Sequence, residues 1–386
     1  MDERTVSYAR VRFADYYKHI GGVEVPDTRH REFAVIPWQA DADPPMFRHK
    51  SALDYDDAVQ GLLTDEAPRH AYCSAARYRA PSTNKMSEKG WLGTDLIFDL
   101  DGDHLPGVNE QTPYKEQLAR CKEELYDLID IIETELGHDD YTIVFSGGRG
   151  YHVHVRTEEV QQLDSKSRRD IVDYIRGNDV SIADITMKRK INKRQGRTRT
   201  LQYEGGWGMR IHKELVNYAD KMSELPEEEA LAVLKKYDNI GTKKAEKILA
   251  TLTNRTDAIE EGTVTVEREF KEFLGKFIGD VVADSSSAID EPVTTDTRRL
   301  IRIPNSLHGG TGLRVVEIDR DDLDEFSPLE DAVPSIFKNG SIDIRLLESA
   351  EVDIGECERT FDKGEELSVP EYVGIHLMCK GLAEKS

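Results

Sequence analysis

Asp99 and Asp101 stand two residues apart in the run DLIFDLD, Asp95 to Asp101. In an extended chain, residues at i and i+2 share a face. Two carboxylates placed that way are hard oxygen donors suited to magnesium or manganese. A pair of such ions serves in-line phosphoryl transfer, one activating the attacking oxygen and one steadying the leaving group. On its own the pair is equally well read as a solvated, acid-capped strand end. A second signal is the loop SGGRG, Ser146 to Gly150, followed by His152. It offers a hydroxyl, closely approachable backbone N–H groups, the planar fork of Arg149 and an imidazole, which together are what a triphosphate needs. The plainer reading is a glycine-rich hairpin turn, with His152 and His154 as a surface pair. A third signal is RLIRIPNSLHGGTGL, Arg299 to Leu313, which sets Arg302 on a strand and His308 in the polar turn after it. Upstream, in IDEPVTTD, Asp290 is a candidate third carboxylate, with Asp296 as the alternative.

These residues need elements to position them. Leu96, Phe98 and Leu100 alternate with Asp95, Ile97, Asp99 and Asp101, which predicts a strand with the acids on the face away from the core. Leu118, Cys121, Leu125, Leu128, Ile129, Ile132 and Leu136 recur at helical spacing, and Gly137 supplies a stop. Residues 141–145 and 151–155 read as two strands joined by the glycine loop. Residues 227–252 and 267–278 read as helical, strand character returns at 300–303 and 313–318, and a closing helix begins near Pro370. The expected architecture is a mixed α/β core from 1–160 and 281–386, interrupted by a mainly helical insertion over 161–280.

With 386 residues, 38% hydrophobic and 33% charged, the chain has the composition of a large soluble protein. It shows neither a signal peptide at its start nor a run near the ~18 apolar residues of a membrane span, so a cytoplasmic location is expected. Cys73, Cys121, Cys357 and Cys379 are scattered and form no CxxC pair, which argues against a disulfide framework or a local zinc site. A net charge of −22 runs against nucleic-acid binding unless the acidity belongs to a salt-adapted proteome and the groove stays basic; molar salt shortens screening to about 3 Å. The stretch MKRKINKRQGRTRT, Met187 to Thr200, is basic and is a candidate template track or partner contact. NIGTKKAEKIL, Asn239 to Leu249, faintly resembles a phosphate-binding helix-hairpin-helix, though a lone match is more often two packed helices.

Taken together, DLIFDLDGDH, SGGRGYHVHV and IDEPVTTDTRRLIRIPNSLHGGTGL resemble the archaeal and eukaryotic DNA primase small, catalytic subunit, and the acidic net charge points to a halophilic archaeon. Weaker echoes in REFAVI, RHKS and VPEYVGIHLMCKGLAE extend it over most of the chain outside the insertion. The resemblance implies synthesis of short RNA or DNA primers on a single-stranded DNA template from nucleoside triphosphates. It gives Asp99, Asp101 and Asp290 the magnesium or manganese ions, and Ser146, Arg149, His152, Arg302 and His308 the phosphates of the incoming nucleotide. It also implies a heterodimer with a primase large subunit, links to a replicative polymerase and replisome, and no membrane. The family's zinc knuckle is expected to be absent, since only Cys121 lies in that region. Two alternatives share part of the pattern. A repair-type primase-polymerase has the same core chemistry. FDLDG is also similar to the nucleophile motif of haloacid-dehalogenase-type phosphatases, with Asp99 as nucleophile.

Overall fold

Buried guanidinium and ammonium groups, not apolar contacts alone, lock the framework behind the acid pair. In the computed structural model, which describes residues 1–39, 46–109, 111–192, 196–201 and 205–386, the chain forms two compact units. One comprises Met1–Ile129, His138–Val172 and Ala288–Ser386, and the other Asp130–Gly137 and Asp173–Ser287.

The first unit holds two four-stranded antiparallel sheets. In one, the acid strand Leu96–Asp101 lies at the edge beside Gly150–Val155, followed by Tyr141–Phe145 and Val316–Ile318. Leu96, Phe98 and Leu100 are fully buried, as period-two alternation requires, and the helix Tyr114–Asp130 buries Leu118, Cys121, Leu125, Leu128 and Ile129. Cys121 Sγ lies 3.6 Å from Leu100 O, so this helix backs the acid strand. Ile97 on the opposite face is also buried, packed with Ala75, Val293 and Ile301. The strand is therefore covered on both sides, and only its far end reaches solvent.

The second sheet runs Leu300–Arg302, His70–Ser74, Phe33–Ile36, Phe47–Lys50. Arg31, 3% exposed, donates to Ser74 O and Ala75 O at 2.8 Å and to Asp95 Oδ2 at 2.8 Å. Arg156 adds a second contact to Asp95 at 3.3 Å, and buried Arg168 donates to Thr94 O and Asp95 O. Asp95 is thus a structural ion-pair partner and not a member of the solvent-facing acid row that alternation placed it in. Glu32 and Lys89, both essentially unexposed, pair at 2.8 Å, and Arg48 reaches Glu32 at 3.2 Å. A buried charge left alone is costly, so such groups fix the geometry around them.

Residues 161–172 stay with this first unit, where Arg168 pins them. The second unit packs the helices Gly206–Glu224, Glu227–Leu234, Thr242–Asn254 and Arg268–Ser285 around Phe270, Phe273, Phe277, Ile248 and Leu252. The helical run expected over 227–252 is broken where Asn239 adopts φ 63°. Lys244, at the start of the Thr242–Asn254 helix, is held by Glu272 at 2.8 Å, so this lysine is already paired. The basic stretch forms the strands Thr186–Asn192 and Gly196–Leu201, and its residues 193–195 lie outside the described residues. No described helix is long and apolar enough to cross a membrane.

Candidate active site

Antiparallel pairing sets Asp99 opposite His152 and Asp101 opposite Gly150. Paired residues share a face, so both carboxylates and His152 point the same way, into a cavity of about 830 Å³. Gly150 is demanded by this pairing: a Cβ there would lie 2.0 Å from Leu100 O. His152 Nε2 lies 3.3 Å from Asp99 Oδ1, with side-chain exposures of 9% and 19%. His152 and His154 are both buried, which corrects the surface-pair reading: the sheet face they occupy is covered, not solvated. Burial, then Asp103, pushes the Asp101 carboxyl up to about 6, with Arg149 pulling the other way.

The glycine loop is shaped from within. Ser146 Oγ accepts from the N–H groups of Gly148 and Gly150 at 3.3 Å, and Ser146 N donates to Gly150 O at 2.9 Å. Those two N–H groups are therefore spent on the loop. Gly147 takes φ 73°, the left-handed region that glycine occupies without strain. Arg149 lies across the acids, 2.5 Å from Asp103 Oδ2 and 3.9 Å from Asp101 Oδ1.

The opposite wall comes from the other sheet. Arg302 pairs with Tyr72 in the register, and its guanidinium carbon sits 5.1 Å from that ring's centroid. Its Nη1 donates to His70 Nδ1 at 2.7 Å. Burial lowers the His70 pKa to about 3, with Arg302 and Arg69 adding to the shift, so the ring stays neutral and able to accept. His308 Nδ1 accepts from Gly310 N at 3.2 Å, which assigns the proton to Nε2, the nitrogen nearest Gly148. Burial holds this imidazole neutral too, with Arg302, His70 and Arg149 adding to the shift. Thr311 Oγ1 donates to Gly147 O, tying the turn to the glycine loop.

Asp290 lies beside the acid strand: its N–H donates to Asp99 O at 2.8 Å, and it precedes the short helix Glu291–Thr295. Asp296 is exposed, and its Oδ1 accepts from Arg298 N at 2.9 Å. Of the two candidates, Asp290 is the one joined to the acid strand. Neither carboxylate is among the groups lining the cavity, and among the described residues no three His, Cys, Asp or Glu converge as a metal cage. The cavity thus gathers Asp99, Asp101, Ser146, Arg149, His152, Arg302 and His308. It also contains Tyr72, Tyr114 and Lys380, which the sequence reading missed. Tyr114 opens a helix with no motif around it, Lys380 lies in the weakly matching closing segment with no local pattern to single it out, and Tyr72 is legible only through its pairing with Arg302.

Residues 98–320 match the family model described as DNA primase small subunit. Over its whole length the chain is similar to proteins named DNA primase small subunit PriS from halophilic archaea. It is 45% identical to that of Halorubrum lacusprofundi (100% of this chain, 99% of the relative), 43% to that of Haloarcula marismortui (100% and 99%) and 42% to that of Halobacterium salinarum (100% and 100%).

Proposed function

From the premise that this chain belongs to the DNA primase small subunit family and is a nucleotidyltransferase, we propose that the cleft between the acid strand and the Arg302–His308 wall joins nucleotides into primers on single-stranded DNA. The observation that carries the reading is the convergence of two carboxylates and three phosphate-directed groups, Arg149, Arg302 and His308, from both sheets of one unit. The incoming nucleoside triphosphate lies with its α-phosphate toward Asp99 and Asp101 and its remaining phosphates along the cationic wall. A primer 3′-oxygen attacks the α-phosphorus, the bond to the β-phosphate oxygen breaks, and pyrophosphate leaves.

Asp99 and Asp101 offer hard oxygen donors on one strand face, and burial, then Asp103, raises the Asp101 pKa. Magnesium is commonly held by one or two carboxylates with substrate phosphates and water completing its shell, so the Asp99–Asp101 pair fits it, and Asp290 takes the third-acid role on the family resemblance alone. When bound, magnesium or manganese supplies activation of the attacking oxygen and charge stabilisation on the leaving phosphates. The chain's own groups do the rest. Arg302, aimed by neutral His70, and the Nε2–H of His308 donate to phosphate oxygens in a partly desolvated site, where such donors act strongly. Arg149 is free to swing from Asp103 to phosphate. His152 orients Asp99. No protein nucleophile is required.

The products are short RNA primers, with deoxynucleotide incorporation the alternative, and the partner is a primase large subunit. The test is template-dependent synthesis on single-stranded DNA in high-salt buffer with magnesium or manganese, with and without the large subunit. Wild type is expected to yield primers and the Asp99→Ala/Asp101→Ala double variant none. Primers from the double variant, or none from wild type under every condition, overturn the reading.

A further inference from the structure

Lys380, a cation of the cleft, has no role in the reaction outlined above. Lys380 directly follows the closing helix Glu371–Cys379 and lines the cavity with Ser146, Gly148, Arg149 and Thr311. Its ammonium sits 4.3 Å from the centroid of the Tyr114 ring, a cation–π distance. The Tyr114 hydroxyl donates to Gly148 O, so one ring links the lysine to the glycine loop. The helix itself is moored to the same loop: His376 Nδ1 contacts Thr311 O at 2.7 Å, and Thr311 Oγ1 donates to Gly147 O. Lys380 is therefore held in place by the loop that shapes the phosphate side of the cleft.

Its electrostatic setting is unusual for this chain, where acids outnumber Lys and Arg by 74 to 52. Several other lysines have carboxylate partners at 2.8 Å, such as Lys50 with Glu66, Lys89 with Glu32 and Lys244 with Glu272. Among the described residues Lys380, exposed at the cleft, makes no such pair, and desolvation, then the nearby Arg149 guanidinium, lowers its pKa. Arg149 is balanced by Asp103, whereas the Lys380 ammonium beside it makes no ion pair among the described residues and is a ready partner for an entering anion. Position says which part of the anion. Lys380 sits on the Tyr114 ring, whose hydroxyl holds Gly148 O, whereas Asp101 pairs with Gly150. The lysine therefore belongs to the Gly148 side of the glycine loop rather than to the acid strand that faces the α-phosphate.

We propose that Lys380, seated on Tyr114, binds the terminal phosphate of the incoming nucleoside triphosphate and so selects triphosphates over diphosphates. This rests on the reading of the cleft as the nucleotide site. The test compares wild type, Lys380→Met and Lys380→Arg as full-length protein with the large subunit, measuring equilibrium affinity for ATP, ADP and single-stranded DNA in high-salt buffer with magnesium. Lys380→Met is expected to weaken ATP about tenfold, the size of a lost charge-assisted hydrogen bond. ADP and DNA affinity should stay within about twofold, and Lys380→Arg should restore most of the ATP affinity. Lys380→Gln serves in place of the Met variant if that one fails to fold. Equal weakening of ATP and ADP, weakening of DNA binding alone, or no change would each overturn the assignment. Wild type that binds no triphosphate sinks the nucleotide-site reading itself, a result distinct from a wild type that binds ATP and a Lys380→Met variant that binds it equally well.

Discussion

Lowering the pH from about 7.5 to 5.5 should unfold the first unit well above the carboxylate range, because four of its histidines are buried in the neutral form. His70 and His376 have pKa values lowered to about 3 by burial, and His154 and His308 are held well below the usual value for the same reason. Hydrogen bonding shows why protonation is resisted in three of them. His70 Nδ1 accepts from Arg302, His308 Nδ1 from Gly310 N, and His154 Nδ1 faces Arg156 Nη2 at 3.2 Å. A proton on any of these nitrogens sets donor against donor. Between about pH 6.5 and 3 the unfolded chain binds these protons and the folded chain does not, so stability falls as pH falls. One pH unit below the ordinary value of about 6.5, each histidine costs about 1.4 kcal/mol, or about 6 kcal/mol for the four. Asp101, raised to about 6, takes up a proton earlier in the folded state and offsets just under 1 kcal/mol of this. The net loss, about 5 kcal/mol, rivals the whole stability of many domains. The assay is urea denaturation followed by circular dichroism at about pH 7.5, 6.5 and 5.5 in molar salt, which screens buried groups little. His376→Asn, which keeps a donor for Thr311 O, should flatten the pH slope by about a quarter. A midpoint unchanged down to about pH 5, followed by loss only in the carboxylate range, would refute the reasoning.

Three other outcomes follow from single contacts. His70→Phe removes the acceptor that aims Arg302, so the KM for nucleotide should rise about tenfold or more, with a smaller change in kcat and in melting temperature; steady-state kinetics and a melt separate the two effects. Gly150→Ala drives a methyl into Leu100 O, so it should separate the acid strand from the hairpin, abolish primer synthesis and cost about 3 kcal/mol or more in a denaturant melt. Glu32→Met strands the unexposed Lys89 ammonium and should destabilise by about 3–5 kcal/mol; the Glu32→Met/Lys89→Met double variant should recover most of that, and an additive loss in the double would rule the ion pair out as the cause.

Local chemistry was legible in the sequence wherever a short-range rule governs it. Period-two alternation places Asp99 and Asp101 on one face, because successive strand residues point to opposite sides. The glycines of SGGRG announce a tight turn, because one of them takes a left-handed φ and another abuts a carbonyl. The charge balance and the order of motifs point to the family and to a halophilic source. What no short-range rule reaches was settled by packing. The same alternation puts Asp95 with the acids, yet Arg31 and Arg156, distant in sequence, bury it as an ion pair. His152 and His154 look like surface residues until the second sheet covers them, and His70 looks ordinary until Arg302 arrives from 232 residues away. Lys380 lies in the weakly matching segment VPEYVGIHLMCKGLAE, where no local pattern singles it out, and only the mooring of the closing helix on the glycine loop brings its ammonium to the cleft. The sequence by itself determined which side chains can do phosphoryl chemistry, since donor type and spacing are local properties. The tertiary structure decided which of them are charged, neutral or spent on the framework, since burial and partners drawn from across the chain set those states.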